Sequence, residues 1–139
     1  MRPLYGHSRD VAEFVKNLIP GCERGFGPCT AIGVIDDDGR LIGGWVYYDY
    51  DPEAGVIQVS GAATDKRWLT RPVLRALFFY VWDQLGCQMI VTRQDPANKA
   101  VRRMWKAAGG VEYIIPRLRG RDKAECLICI TDDAFRASK

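Results

Sequence analysis

The first periodic segment spans residues 8–19, where Val11, Phe14, Val15, Leu18 and Ile19 recur at helical spacing and Pro20-Gly21 ends the pattern. Ser8 precedes it as an N-cap candidate, with Asp10 and Glu13 placing acids near the helix start. The period then changes. Residues 30–35 predict a strand, Asp36-Asp37-Asp38-Gly39 a turn and residues 41–50 the returning strand of a hairpin. A second turn over residues 51–55 leads into a third strand, residues 56–63.

Pro72 opens a run to Trp82 that is apolar on nearly every side, which predicts a helix buried all round and ended by Gly86. Residues 88–92 form a β-branched strand segment. Ala97, Val101, Met104, Trp105 and Ala108 then share one helical face, with Arg102, Arg103 and Lys106 largely off it, and Gly109-Gly110 closes that helix. Residues 111–115 and 125–131 predict two more strands, joined by a basic solvated turn over residues 117–122. The order is helix, three antiparallel strands, helix, strand, helix, two strands. It predicts one α/β domain over residues 1–139, with a mixed, mostly antiparallel sheet, a central strand–helix–strand unit and helices on both faces.

Composition agrees with a folded domain. The chain has 139 residues, 47% of them hydrophobic and 27% charged, enough to bury a core without disulfides or a structural metal. The longest apolar stretch, residues 76–82, is far short of a membrane span, and the start lacks the apolar core of a signal peptide, so the cytoplasm is expected. Five cysteines form no paired clusters. Cys126 and Cys129 lie three apart in a strand-like run and so point to opposite faces. With His7 the one histidine, no metal is expected, and the thiols read as free and buried.

Charge is uneven along the chain. Residues 1–65 hold five Lys/Arg against ten Asp/Glu, a net of −5, and residues 66–139 hold fifteen against seven, a net of +8. The pattern suggests an anionic ligand at the C-terminal half and a cationic one at the N-terminal half.

Three segments resemble the GNAT (GCN5-related N-acetyltransferase) family, over roughly residues 8–131. Residues 62–72, Ala-Ala-Thr-Asp-Lys-Arg-Trp-Leu-Thr-Arg-Pro, stand at a strand-to-helix junction like the family's pyrophosphate loop. Asp95-Pro96-Ala97-Asn98-Lys99-Ala100 is similar to its Asn-x-x-Ala helix start, and residues 105–112 to the segment that closes that helix. The run Arg67-Trp68-Leu69-Thr70-Arg71 resembles a phage and prophage subgroup. Independently of family, a helix N-terminus beside Lys66, Arg67 and Arg71 suits a phosphate.

The resemblance implies acetyl-CoA as acyl donor and an amine acceptor, which would be a small molecule, a peptide or a modified base, with no membrane partner and a homodimer as candidate assembly. By position it implies Ala62, Ala63, Thr64, Arg67, Trp68, Leu69, Thr70, Arg71, Asn98 and Arg102 as cofactor-binding residues. Tyr47, Asp49, Glu53 and Ser60 are the candidates for proton handling and for drawing in the amine. Tyr47 and Tyr48 face opposite ways, so at most one of them lines a site. The chain departs from the family pattern at Thr70 and Pro72, which replace loop glycines, at Trp105, which replaces an acid tyrosine, and at Gly110, which replaces a phenylalanine. A non-catalytic binding module of the same fold and a nucleic-acid-directed modifier are the alternative readings.

Overall fold

Consecutive strand residues point to opposite faces, so the run Trp45-Val46-Tyr47-Tyr48 requires apolar cover on both sides of its strand. In the computed structural model, which describes residues 1–138, two helices supply that cover. The elements are β1 (Arg2–Leu4), α1 (Ser8–Leu18), β2 (Cys29–Ile35), β3 (Leu41–Asp51), β4 (Val56–Ala63), α2 (Arg71–Phe79), β5 (Met89–Gln94), α3 (Lys99–Ala107), β6 (Val111–Gly120), β7 (Lys123–Thr131) and α4 (Asp132–Ala137). The strand order is β1-β2-β3-β4-β5-β7-β6, an α/β fold with a mixed sheet, as the order of patterns predicts. Contacts divide the chain into two compact units, Met1–Tyr50 with Gln58–Gly86, and Asp51–Ile57 with Cys87–Lys139.

In the first unit β2 pairs antiparallel with β1 and β3, and α1 lays the fully buried Val11 and Val15 on Ala31 and Val46. The helix comes close because Gly33 and Gly44 face each other in register. A Cβ on Gly44 would stand 2.5 Å from Cγ1 of Val11, and one on Gly33 2.9 Å from its Cγ2. The other face of β3 packs on α2, where the Trp45 ring meets Phe78 edge-on at 5.2 Å. A π-turn over Tyr80–Gln84 extends α2, with the Leu85 N–H donating to the Tyr80 carbonyl at 2.9 Å.

Two expectations change here. α2 is not buried all round: Val73, Leu77 and Phe78 face inward, whereas Arg71, Pro72 and Arg75 are exposed and Phe79 is 50% exposed. The helix therefore has one apolar stripe and one wet one. Ser8 is not the N-cap of α1, a position His7 holds without a side-chain bond. Its hydroxyl instead accepts from the Ala31 N–H at 3.0 Å, tying the helix start to β2.

In the second unit β7 pairs antiparallel with both β5 and β6. Its residues alternate as the sequence predicts, with Cys126, Ile128 and Ile130 buried and Leu127 and Cys129 half-buried. α3 carries Trp105, 3% exposed. The basic turn expected over residues 117–122 is mostly strand. β6 continues to Gly120, with a bulge between Ile115 and Gly120 and Arg117 at φ 69°. Arg119 holds this tail against β7 by donating to Oε2 of the buried Glu125 at 2.6 Å. α4 follows β7 directly, capped by Thr131, whose hydroxyl accepts from the Ala134 N–H at 3.1 Å. Among the described residues no helix is long and apolar enough to cross a membrane.

Candidate functional site

The junction between β4 and α2 is built by short-range hydrogen bonds. Thr64 ends the strand by directing both its N–H, at 2.8 Å, and its hydroxyl, at 3.3 Å, to the Ile42 carbonyl. Asp65 then turns the chain. Its Oδ1 accepts from the Arg67 N–H at 2.9 Å and from Arg67 Nε at 3.2 Å, and its Oδ2 accepts from Nη2 at 3.0 Å. This pairing lowers the Asp65 pKa and raises that of Arg67. The Arg67 side chain is 84% exposed, so the pair adds little stability; what it does is fix where a free guanidinium edge stands.

Beyond the turn, Trp68 packs against Gly43, where an added Cβ would lie 2.7 Å from its ring. Ala62 joins the apolar cluster under α1, and Ala63 and Leu69 are half-buried. Thr70 is the residue before α2, and its hydroxyl is buried without a hydrogen-bond partner. The first turn of α2 leaves N–H groups without intrahelical acceptors, and Pro72 removes one of them while Arg71 and Val73 keep theirs. A buried hydroxyl, free N–H groups and the exposed cations Lys66, Arg67 and Arg71 thus occur within eight residues of sequence. That set suits an anion.

The structure separates the candidate proton-handling residues. Tyr47 is 2% exposed, and its hydroxyl donates to the Leu77 carbonyl at 2.8 Å. Burial pushes its pKa well above the usual phenol value, so the proton stays. Tyr48, on the opposite face, brings its hydroxyl to 3.0 Å from that of Ser60. Asp49 is exposed at φ 50°, a left-handed conformation that Asp tolerates, and its Oδ2 accepts from Gln58 Nε2 at 2.9 Å. In the second unit Glu53 is exposed in a turn that Asp51 organises, accepting from the Glu53 and Ala54 N–H groups at 3.1 Å.

The second unit also holds Asn98 and Arg102. Asn98 caps α3, its Oδ1 accepting from the Val101 N–H at 3.4 Å, which leaves its amide hydrogens. Arg102 is committed elsewhere. It donates through Nε and Nη2 to both oxygens of Glu112 and through Nη1 to the Pro96 carbonyl at 2.6 Å. Arg102 lowers the Glu112 pKa to about 2. The Cys126 thiol also donates to Glu112 at 3.3 Å, and burial raises the pKa of that thiol.

Tyr48, Gln58, Asp65 and Glu112 gain their places beside the candidate residues through contacts that sequence spacing does not encode. Strand alternation is the signal that separates Tyr48 from Tyr47, and Asp two residues before Arg67 is a turn signal at Asp65.

The sequence matches no protein-family model and no curated protein. Solved structures share the fold. A chimera of Vibrio cholerae spermidine N-acetyltransferase SpeG with hSSAT superposes at a TM-score of 0.73 over 99% of both chains, with 13% identity. Vibrio cholerae SpeG itself gives 0.68 over 98% of this chain and 94% of that one, with 14% identity. A GCN5-related N-acetyltransferase from Brucella melitensis gives 0.63 over 80% of this chain and 54% of that one, with 23% identity. At these identities the likeness is one of fold.

Proposed function

We propose that this chain is an acetyl-CoA-dependent N-acyltransferase of the GNAT type that acetylates a primary amine. The observation that carries the reading is a fold shared with acetyltransferases over nearly the whole chain. The junction residues support it. The partnerless Thr70 hydroxyl, the first-turn N–H groups of α2 and the guanidinium that Asp65 holds fit a pyrophosphate, each offering a donor to its oxygens. Arg71 and Lys66 would add charge, and Ala62 and Ala63 backbone groups. Trp68 and Leu69 support the loop by packing. Arg102 is better read as a positioning residue, since it would reach a ligand only by releasing Glu112.

Bound acetyl-CoA would supply the acyl group as an activated thioester. The protein's part is to deliver a neutral amine. Asp49 offers an exposed carboxylate, oriented by Gln58, that attracts an ammonium and accepts its proton. Ser60 and Tyr48 provide a hydroxyl pair able to accept from and donate to that nitrogen. Tyr47 serves the fold, because its phenol is buried and donated to Leu77.

The test is release of free CoA thiol from acetyl-CoA in the presence of a panel of primary amines. Spermidine is the first choice, since proteins of the same fold acetylate it. Amine-dependent release that disappears in Asp49→Asn supports the proposal. Binding without release for any amine would leave a non-catalytic module, the reading that Trp105, standing where the resemblance expects a tyrosine, favours.

A further inference from the structure

Burying a charge costs free energy that an apolar residue at the same position would not, so a buried ion triad calls for a reason beyond stability. Glu125 on β7 is 2% exposed and holds two arginines. Arg93 of β5 donates from Nε to Oε1 at 2.9 Å, and Arg119 of β6 donates from Nη1 to Oε2 at 2.6 Å. One carboxylate leaves one of the two positive charges unbalanced. It also leaves donors. Both Nη groups of Arg93, and Nε and Nη2 of Arg119, meet no acceptor among the described residues, and the two side chains are 44% and 32% exposed. Bonded to opposite oxygens of one buried carboxylate, the guanidiniums stand side by side in fixed positions.

The local backbone serves the same end. Between the Ile115–Glu125 and Gly120–Lys123 pairs, residues 116–119 stand against Ala124 alone, and Arg117 in this bulge takes φ 69°, a left-handed conformation uncommon for arginine. Bulges re-aim side chains, and this one brings Arg119 back onto Glu125. Arg117, Arg121 and Lys123 are exposed on the same end of β6 and β7, where Asp122 is the one acid among residues 116–123. The floor beside the pair is apolar. Register places Arg93, Leu127 and Tyr113 in one cross-strand row on the face that carries Glu125, and Tyr113 is 53% exposed.

We propose that Arg93 and Arg119, held on Glu125, bind a phosphomonoester, with its phosphate dianion on the free guanidinium edges and its ester group over Leu127 towards Tyr113. A carboxylate has two oxygens and fills one guanidinium fork, whereas a phosphomonoester has three free oxygens and serves both. The unbalanced charge and the neighbouring cations suit a dianion better than a monoanion. The half-buried Leu127 and the open Tyr113 ring favour an apolar or aromatic ester group over bare phosphate.

The test titrates phenyl phosphate, inorganic phosphate and benzoate into the Arg67→Ala chain, so that the junction before α2 contributes no guanidinium. The readout is the NMR signals of the Arg93 and Arg119 Nε–H groups, assigned with Arg93→Lys and Arg119→Lys. Both signals are expected to move on one saturable curve with phenyl phosphate, and affinity to fall from phenyl phosphate to inorganic phosphate to benzoate. Arg93→Gln and Arg119→Gln should each weaken phenyl phosphate about tenfold, the loss of a charge-assisted hydrogen bond, while Arg103→Gln, at an exposed arginine of α3, changes nothing. Tyr113→Ala, at an exposed ring, should spare the fold, weaken phenyl phosphate and leave inorganic phosphate as it was. Signals that stay still at millimolar phenyl phosphate, benzoate bound as tightly as phenyl phosphate, or an equal loss in Arg103→Gln overturn the proposal. So does displacement of phenyl phosphate by acetyl-CoA, which would assign the two arginines to the cofactor; the two ligands are expected to bind at once.

Discussion

The hydroxyls of Tyr48 and Ser60 lie 3.0 Å apart, half-buried, while the neighbouring Tyr47 turns its phenol away to Leu77. One strand thus puts two tyrosines to two uses. Ser60→Ala and Tyr48→Phe are expected to lower kcat while acetyl-CoA affinity holds, with stability falling by about 1 kcal/mol, the net value of one hydrogen bond. Tyr47→Phe should do the reverse. It leaves the Leu77 carbonyl without its buried donor, costing roughly 1–3 kcal/mol in urea unfolding with the rate little changed.

Asp49 sits at φ 50° and accepts from Gln58. Asn also tolerates that conformation and keeps an acceptor, so Asp49→Asn removes charge with little change of shape. The expected result is lower kcat/KM for a cationic amine, with a loss that shrinks as salt rises. Unchanged kinetics at all ionic strengths would move the acceptor site elsewhere.

Glu112 gives the fold an acid limb. Its pKa in the folded chain is about 2, chiefly because Arg102 bonds its carboxylate, against an ordinary value of 4.5. A depressed carboxylate stabilises the fold fully above its unfolded pKa, and that contribution is lost as pH falls through the folded one. Thermal melts should therefore show stability declining from about pH 4.5 towards pH 2, and Glu112→Gln should flatten that decline while lowering the neutral-pH melting temperature.

Trp105, 3% exposed, fills its site under α3. Trp105→Ala should cost roughly 3–5 kcal/mol, the range for a buried aromatic, read from denaturant midpoints. Trp105→Tyr should fold and retain most of that stability. A rise in its turnover would mean that the added hydroxyl supplies the proton the resemblance assigns there.

How much of this is legible in the sequence depends on how much structure a local pattern can hold. α1 and α3 are legible because each repeats an apolar stripe over several turns, and the β2–β3 hairpin because three aspartates and a glycine mark its turn. β1 escapes because three residues make no period. α4 has a readable cap in Thr131 followed by two acids, but it buries no residue fully and so writes no stripe. The tail of β6 reads as a loop because its arginines look solvated, and it is the pairing with β7, reinforced by the bond from Arg119 to Glu125, that makes it a strand. The junction motif is likewise local and visible. That Arg102 is taken up by Glu112, ten residues on, and that Tyr48 and not Tyr47 reaches Ser60, are contacts between elements that no spacing encodes.

The most direct measurement is a calorimetric titration of the purified chain with acetyl-CoA, repeated with Arg67→Ala and Thr70→Val. The account predicts one site per chain with saturable heat, and weaker affinity in both variants, because the guanidinium that Asp65 fixes and the partnerless Thr70 hydroxyl each lose a phosphate contact. Absence of binding at millimolar acetyl-CoA would contradict the account, and binding unchanged in both variants would contradict the phosphate site at α2.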